Sequence, residues 1–288
     1  YPLDGRVSSY PEAARGFSAS NCYLLTEPDA ALMLDTGYPG HERSILGQLG
    51  SLIDKQLPLS LYPLRINEFM SVCNAGAISR AFNVVQCYAG IPNVGQWLDF
   101  SVESLDAADG GGANRQGAGN GAKGAAHPKF HTTLVGGELQ ELEIGASETR
   151  IVDAIQAPIR LIGTRWIYDG ATRTLFSSDM FTHFWRDSPD GPWVLRETED
   201  TSTEQHLRSF LLNTRYWWLE GAKNEGLRRG IAKVFDTYEI DRIAPGYGCI
   251  LEGRDIVARQ YQMLDDVLRK LDRASTPPVY AAHGVERH

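Results

Sequence analysis

The chain has 288 residues, 42% hydrophobic and 22% charged, an ordinary globular composition with enough apolar side chains for a substantial core. Lys and Arg number 28 against 36 Asp and Glu; this net charge of −8, with no basic run, excludes nucleic acid as an expected partner. No apolar run approaches the roughly 20 residues that span a bilayer, so no membrane association is expected.

The first predicted element is a hairpin over Asn21 to Thr36, where two short apolar runs flank the turn Glu27-Pro28-Asp29. Gly37 and Pro39 close it, and His41 to Leu57 then carries Ile45, Leu49, Leu52 and Ile53 at helical spacing. Residues 107–126 are dominated by Gly, Ala and Asn; the segment cannot bury enough area to offset its ordering entropy and is expected as a mobile surface insertion. It is not a phosphate loop, because no strand feeds it, no helical pattern follows it and the lysine-serine pair is missing.

The second half repeats the scheme. A strand ends at Tyr168, Asp169-Gly170-Ala171-Thr172 turns the chain, and Thr174 to Ser178 returns as a strand reaching Asp179. Leu207 to Phe235 reads as two helices broken near Gly221, and Asp255 to Leu271 as an amphipathic helix with Ile256, Tyr261, Leu264, Val267, Leu268 and Leu271 on one side. A tail from about residue 275, with Pro277-Pro278, is expected to lie outside the fold. Hairpins followed by helices, twice over, predict an α/β (or α+β) sandwich in a single domain, 1–288.

Cys22, Cys73, Cys87 and Cys249 show no CxxC spacing, which suggests neither a disulfide framework nor a structural zinc site but free thiols in a reducing cytoplasm. Tyr1-Pro2-Leu3-Asp4 carries no signal-peptide pattern, so the expected location is cytoplasmic.

Three pieces in order carry a family resemblance. The Asn21 strand leading to Leu34-Asp35-Thr36-Gly37, the pair of strands ending at Ser178-Asp179-Met180-Phe181, and Ile243-Ala244-Pro245-Gly246-Tyr247-Gly248 together resemble the metallo-β-lactamase superfamily, in particular its flavodiiron branch. The likeness runs from about Asn21 to Leu271 and implies a four-layer αββα sandwich. Metal-holding members carry His-x-Glu-x-Asp-His-x-Gly, a further His, a bridging Asp and a final His, because two cations need imidazoles and carboxylates converging from several loops. On that pattern Phe69, Ser71, Cys73 and Asn74 stand at the first four ligand positions, Arg160 near the fifth, and Tyr247 at the last; of the seven, Asp179 alone matches. A guanidinium about 4 Å from a dication is repelled by several kcal/mol even at intermediate dielectric, so the resemblance implies a fold from which the metal site has been replaced, with no cofactor.

If the pocket persists, Asp179 either pairs with Arg160 as a space-filling ion pair or acts as a general base on water. Arg160, Asn74 and Tyr247 are candidate donors to a developing oxyanion, Tyr247 also a plug, and Cys73 or Ser71 a candidate nucleophile activated by His183 if the fold brings them close. Cys73 also reads as a small buried hydrophobe. His127 and His131 flank Pro128 and read as surface residues rather than as a ligand pair. Phe181, Phe184, Trp185, Trp193, Tyr216, Trp217 and Trp218 form an aromatic stretch that fits core packing, a subunit interface or an apolar ligand pocket. The expectation is a metal-independent hydrolase of a small molecule, aromatic ones included. The alternative is a non-catalytic partner subunit or ligand-binding pseudoenzyme, and a diiron oxygen or nitric-oxide reductase ranks last. A homodimer, or a hetero-oligomer with a related subunit, is expected by resemblance only.

Overall fold

The computed structural model describes residues 2–3, 16–66, 68–91, 131–159, 163–213 and 216–275; the expected insertion at 107–126, the tail, His127 and Arg160 lie outside these residues. The chain divides into two compact units, residues 20–156 with 162–167, and residues 1–19, 157–161 and 168–288. In the latter, β1 (Pro2–Leu3) and β2 (Gly16–Phe17) make a short antiparallel ribbon. No helix of the described residues is long and apolar enough to cross a membrane.

The 20–156 unit is built on a five-stranded sheet. β3 (Tyr23–Thr26) and β4 (Ala31–Leu34) form the expected hairpin. β5 (Leu59–Tyr62), β6 (Val84–Ala89) and β7 (His131–Leu134) then add in parallel, in the order β3-β4-β5-β6-β7. Parallel neighbours need crossovers, and the sequence supplies them as α1 (Glu42–Leu52) and then the short helices α2 (Phe69–Val72) and α3 (Ala75–Ala81). Every residue of β4 is buried, which is why it reads as an unbroken apolar run rather than an alternating one. Met33, Leu49, Ile53, Leu59, Leu61 and Ile78 meet in the core beneath it. His131 is exposed on β7.

In the same unit β8 (Leu139–Ile144) and β9 (Arg150–Gln156) pair antiparallel from Leu139↔Ile155 to Ile144↔Arg150. Leu142 and Ile144 are buried and Glu141 and Glu143 exposed, the period of two of a half-buried strand. β10 (Arg165–Asp169), whose last two residues fall in the 168–288 unit, is buried throughout.

In the 168–288 unit, Asp169 builds its own turn: its carboxylate accepts the Thr172 N–H at 3.2 Å and the Thr172 hydroxyl. β11 (Thr174–Ser178) runs parallel to β13 (Arg242–Pro245), β13 antiparallel to β14 (Ile250–Glu252), and β14 parallel to the two-residue β12 (Val194–Leu195). The expected helix pair is α4 (Glu204–Asn213) and α5 (Glu225–Thr237), separated by a 3-10 turn at Trp217–Leu219. α6 (Arg254–Leu271) buries Ile256, Leu264, Val267, Leu268 and Leu271 on the predicted face. It is locked to α5 by the fork of Arg228 on Asp265, at 2.7 and 2.9 Å, and by the stacking of Phe235 on Tyr261 at 4.4 Å.

Candidate functional site

Ser71, Cys73 and Asn74 belong to the 20–156 unit, where the Leu34-Asp35-Thr36-Gly37 turn meets α2 and α3. Asn74 sits between those helices at 1% exposure. Its amide donates to the carbonyls of Thr36 at 2.8 Å and Tyr38 at 2.9 Å, so both N–H groups are spent on backbone. Thr36 answers with its hydroxyl, donating to the Ser71 carbonyl at 2.9 Å and accepting the Asn74 N–H at 3.2 Å. Asp35 takes φ 60 and Gly37 φ 81, and a Cβ on Gly37 would stand 2.2 Å from Ile45 Cδ1 and 3.4 Å from the Asn74 amide; glycine closes this turn for want of room. Asn74, expected as an oxyanion donor, is here the brace that fastens α3 to the turn.

The neighbouring groups are similarly occupied or sealed. Burial raises the Cys73 thiol above the ordinary thiol range, which disfavours the thiolate a nucleophile or a metal ligand needs. The Ser71 hydroxyl is buried and has no hydrogen-bond partner, and so no activating base, among the described residues. Phe69, at the first of the matched positions, is 62% exposed hydrocarbon. The sequence reading did not single out Asp35 and Arg65, which form an ion pair at 3.7 Å with both side chains at most 3% exposed. Asp35 also accepts the Leu64 N–H at 2.9 Å, and Arg65 reaches Met70 Sδ at 2.9 Å. An Asp following a buried apolar strand, with an Arg on the next strand's exit, was the signal available.

Asp179, His183 and Tyr247 belong to the 168–288 unit. The strand β11 ends in a bulged register at Phe176/Ser178, and the chain turns through Ser178 at φ 54 and Phe181 at φ 63, two non-glycine residues in left-handed backbone on either side of Asp179. Hydrogen bonds hold the turn: the Ser177 hydroxyl to the Met180 carbonyl at 2.8 Å, and the Thr182 hydroxyl to the Asp179 carbonyl at 3.0 Å. Gly246 N–H donates to the Ser178 carbonyl at 2.8 Å, which lays the 245–248 turn against the Asp179 turn. Gly248 makes that approach possible, since a Cβ there would stand 2.4 Å from the Phe184 carbonyl oxygen at a backbone φ of 78. Asp179 is 7% exposed and Tyr247 half-buried.

His183 is 1% exposed, its ring 4.1 Å from that of Phe184 and 5.9 Å from that of Phe210. Neither ring nitrogen meets hydrogen-bond geometry with a partner among the described residues. Burial pulls its pKa down to about 4, against the opposing influence of Asp200 and the Gln260 amide and with help from His206. Gln260, itself fully buried on α6, donates to Asp200 at 2.6 Å and to the Ser202 hydroxyl at 2.7 Å. Nothing in the sequence pattern distinguishes Gln260 from an exposed helical glutamine.

A dinuclear metal centre, which the resemblance brings with it, can be tested against this donor set. Among the described residues no three His, Cys, Asp or Glu side chains come together as a metal site. Of the matched positions, one is an exposed phenyl, one an amide spent on carbonyls, one a thiol raised by burial and one a phenol. These residues do not fit a pair of cations. In the aromatic stretch, Phe181, Phe184 and Tyr216 are core, whereas Trp217 and Trp218 are 56% and 37% exposed.

No protein-family model and no curated protein matches the sequence. Solved structures do. Rubredoxin oxygen:oxidoreductase from the anaerobe Desulfovibrio gigas is similar over 91% of this chain and 56% of its own, with a TM-score of 0.61 and 14% identity. A flavo di-iron protein variant from Thermotoga maritima gives a TM-score of 0.58 at 17% identity over 87% of this chain and 53% of its own. The apo chemotaxis sensor ODP of T. denticola gives 0.52 at 14% identity, over 88% of this chain and 84% of its own. The chain thus spans about half the length of the first two. The fold is the mixed α/β, metallo-β-lactamase-like fold of the flavodiiron core.

Proposed function

We propose that this chain is a metal-independent member of the fold that binds a small molecule beside the paired Asp179 and Tyr247 turns and does not turn it over. His183 carries the reading. It is the histidine closest in sequence to Asp179, yet it is 1% exposed and neither ring nitrogen meets hydrogen-bond geometry with a partner among the described residues, an environment that does not suit a general base. Among the described residues no nucleophile is bonded to a base, which favours the pseudoenzyme reading over the expected hydrolase. Strained backbone on both sides of Asp179 favours a retained site over a vestigial one, because such strain persists where the surroundings enforce it. A cytoplasmic homodimer, or assembly with a related subunit, goes with this reading.

The test is to saturate the purified chain with Fe(II) or Zn(II), dialyse, and count bound metal. Well under one equivalent is expected. Two tightly held equivalents would overturn the proposal and restore the second reading, a diiron reductase, which the names of the structural neighbours favour. Hydrolysis of simple esters or lactams, lost by orders of magnitude in a folded Asp179→Ala variant, would return the hydrolase instead.

A further inference from the structure

A cavity of about 280 Å³ lies in the 20–156 unit, lined by the β3–β4 turn, β4, β5, β6 and the end of β8. Its wall is tied in place by Asp29, whose Oδ2 accepts the N–H groups of Ala146 at 3.0 Å and Ser147 at 2.9 Å, joining the two hairpin turns. Its lining contains more hydrogen-bonding capacity than the protein uses. Asp29 Oδ1 is buried without a hydrogen-bond partner among the described residues. Tyr88 is 8% exposed, yet its phenol makes no hydrogen bond among the described residues. Gln86 donates its amide to Thr133 at 2.7 Å, and its amide oxygen has no hydrogen-bond partner among the described residues. The Ser60 hydroxyl and the Glu143 carboxylate, likewise at the lining, have no partner among the described residues.

All five groups accept hydrogen bonds, and two of them are carboxylates. Among the described residues no Lys, Arg or His lines the cavity, and Arg150, beyond the same turn, is paired with Glu27 at 3.5 Å. Leu32, Val85 and Ile144 supply an apolar remainder. An anion is repelled here, and a bare metal ion would find no convergent set of donors among the described residues. A group with several N–H donors, a positive charge and a short hydrocarbon body satisfies every feature. We propose that this cavity binds a small organic cation, a primary ammonium or guanidinium carried on an apolar stem. Burial, and then the Glu143 charge, raise the Tyr88 phenol, which keeps its proton and stays a neutral partner for such a cation.

None of the lining residues is at positions 69–74 or 179–183, so the metal titration above and the test here fail independently. The test is amide-resolved NMR titration of the full chain with benzylamine, with benzyl alcohol as its uncharged counterpart. Benzylamine is expected to bind saturably, with shifts gathered at residues 29–32, 58–60, 85–88 and 143–146, and benzyl alcohol about tenfold more weakly. Glu143→Gln, an exposed position that the fold does not need, is expected to weaken benzylamine about fivefold, and Ser60→Leu to fill the cavity and abolish binding. The proposal is overturned by equal binding of the two probes, by shifts centred elsewhere, by no saturable binding, or by Glu143→Gln binding as tightly as the parent.

Discussion

His183→Leu turns a buried titrating ring into a hydrocarbon of similar bulk, and its effect should depend on pH. In the unfolded chain the imidazole takes up a proton below its ordinary 6.5; in the folded chain it does so only below about 4. Between those values the unfolded state binds one more proton, so the residue's contribution to stability is intact above pH 6.5 and is lost as pH falls. The gap corresponds to about 1.4 kcal/mol lost by pH 5.5 and roughly 2 to 3 kcal/mol by pH 4.5. The ring's surroundings support a value of that order. Phe184 and Phe210 pack against it, and the charges in play, Asp200, His206 and Arg259 on Asp200 at 3.6 Å, leave the imidazole itself without a salt bridge. Urea denaturation at about pH 7.5, 5.5 and 4.5 should show the parent losing stability faster than the variant by those amounts. Identical pH slopes for parent and variant would refute the reasoning.

Further outcomes follow from the same contacts. Asn74→Ala removes the buried hydrogen bond to the Thr36 carbonyl and the part-buried one to the Tyr38 carbonyl, which should cost about 2 kcal/mol in a denaturant melt. Arg65→Met removes the guanidinium paired with the buried Asp35 and should cost about 3–5 kcal/mol, whereas the Asp35→Asn, Arg65→Met double variant should cost clearly less; equal losses would show the pair is uncoupled. Gly248→Ala forces a Cβ to within 2.4 Å of the Phe184 carbonyl and should lower thermal stability by several degrees while shifting amide resonances around Asp179.

What could be read without coordinates was local. The hairpin of Tyr23–Thr26 and Ala31–Leu34, the hairpin ending at Ser178 and the helix Arg254–Leu271 were legible because each is specified by a turn or a period within a few residues. Leu59–Tyr62 escaped because it is four residues between two prolines, and its ladder partners Ala31–Leu34 lie 28 positions away. Parallel pairing rewards contacts that no short window contains.

The sequence by itself determined which side chains follow one another at 69–74, because identity and order need no coordinates: Phe69, Ser71, Cys73 and Asn74 offer neither an imidazole nor a carboxylate. Only the tertiary structure decided what those side chains do. Whether an amide faces a substrate or a backbone carbonyl, whether a histidine meets water, and whether five acceptors on three strands and one turn surround one cavity depend on which distant segments are brought within about 3 Å. Hydrogen bonding and desolvation act over that range alone, and sequence separation carries no information about it.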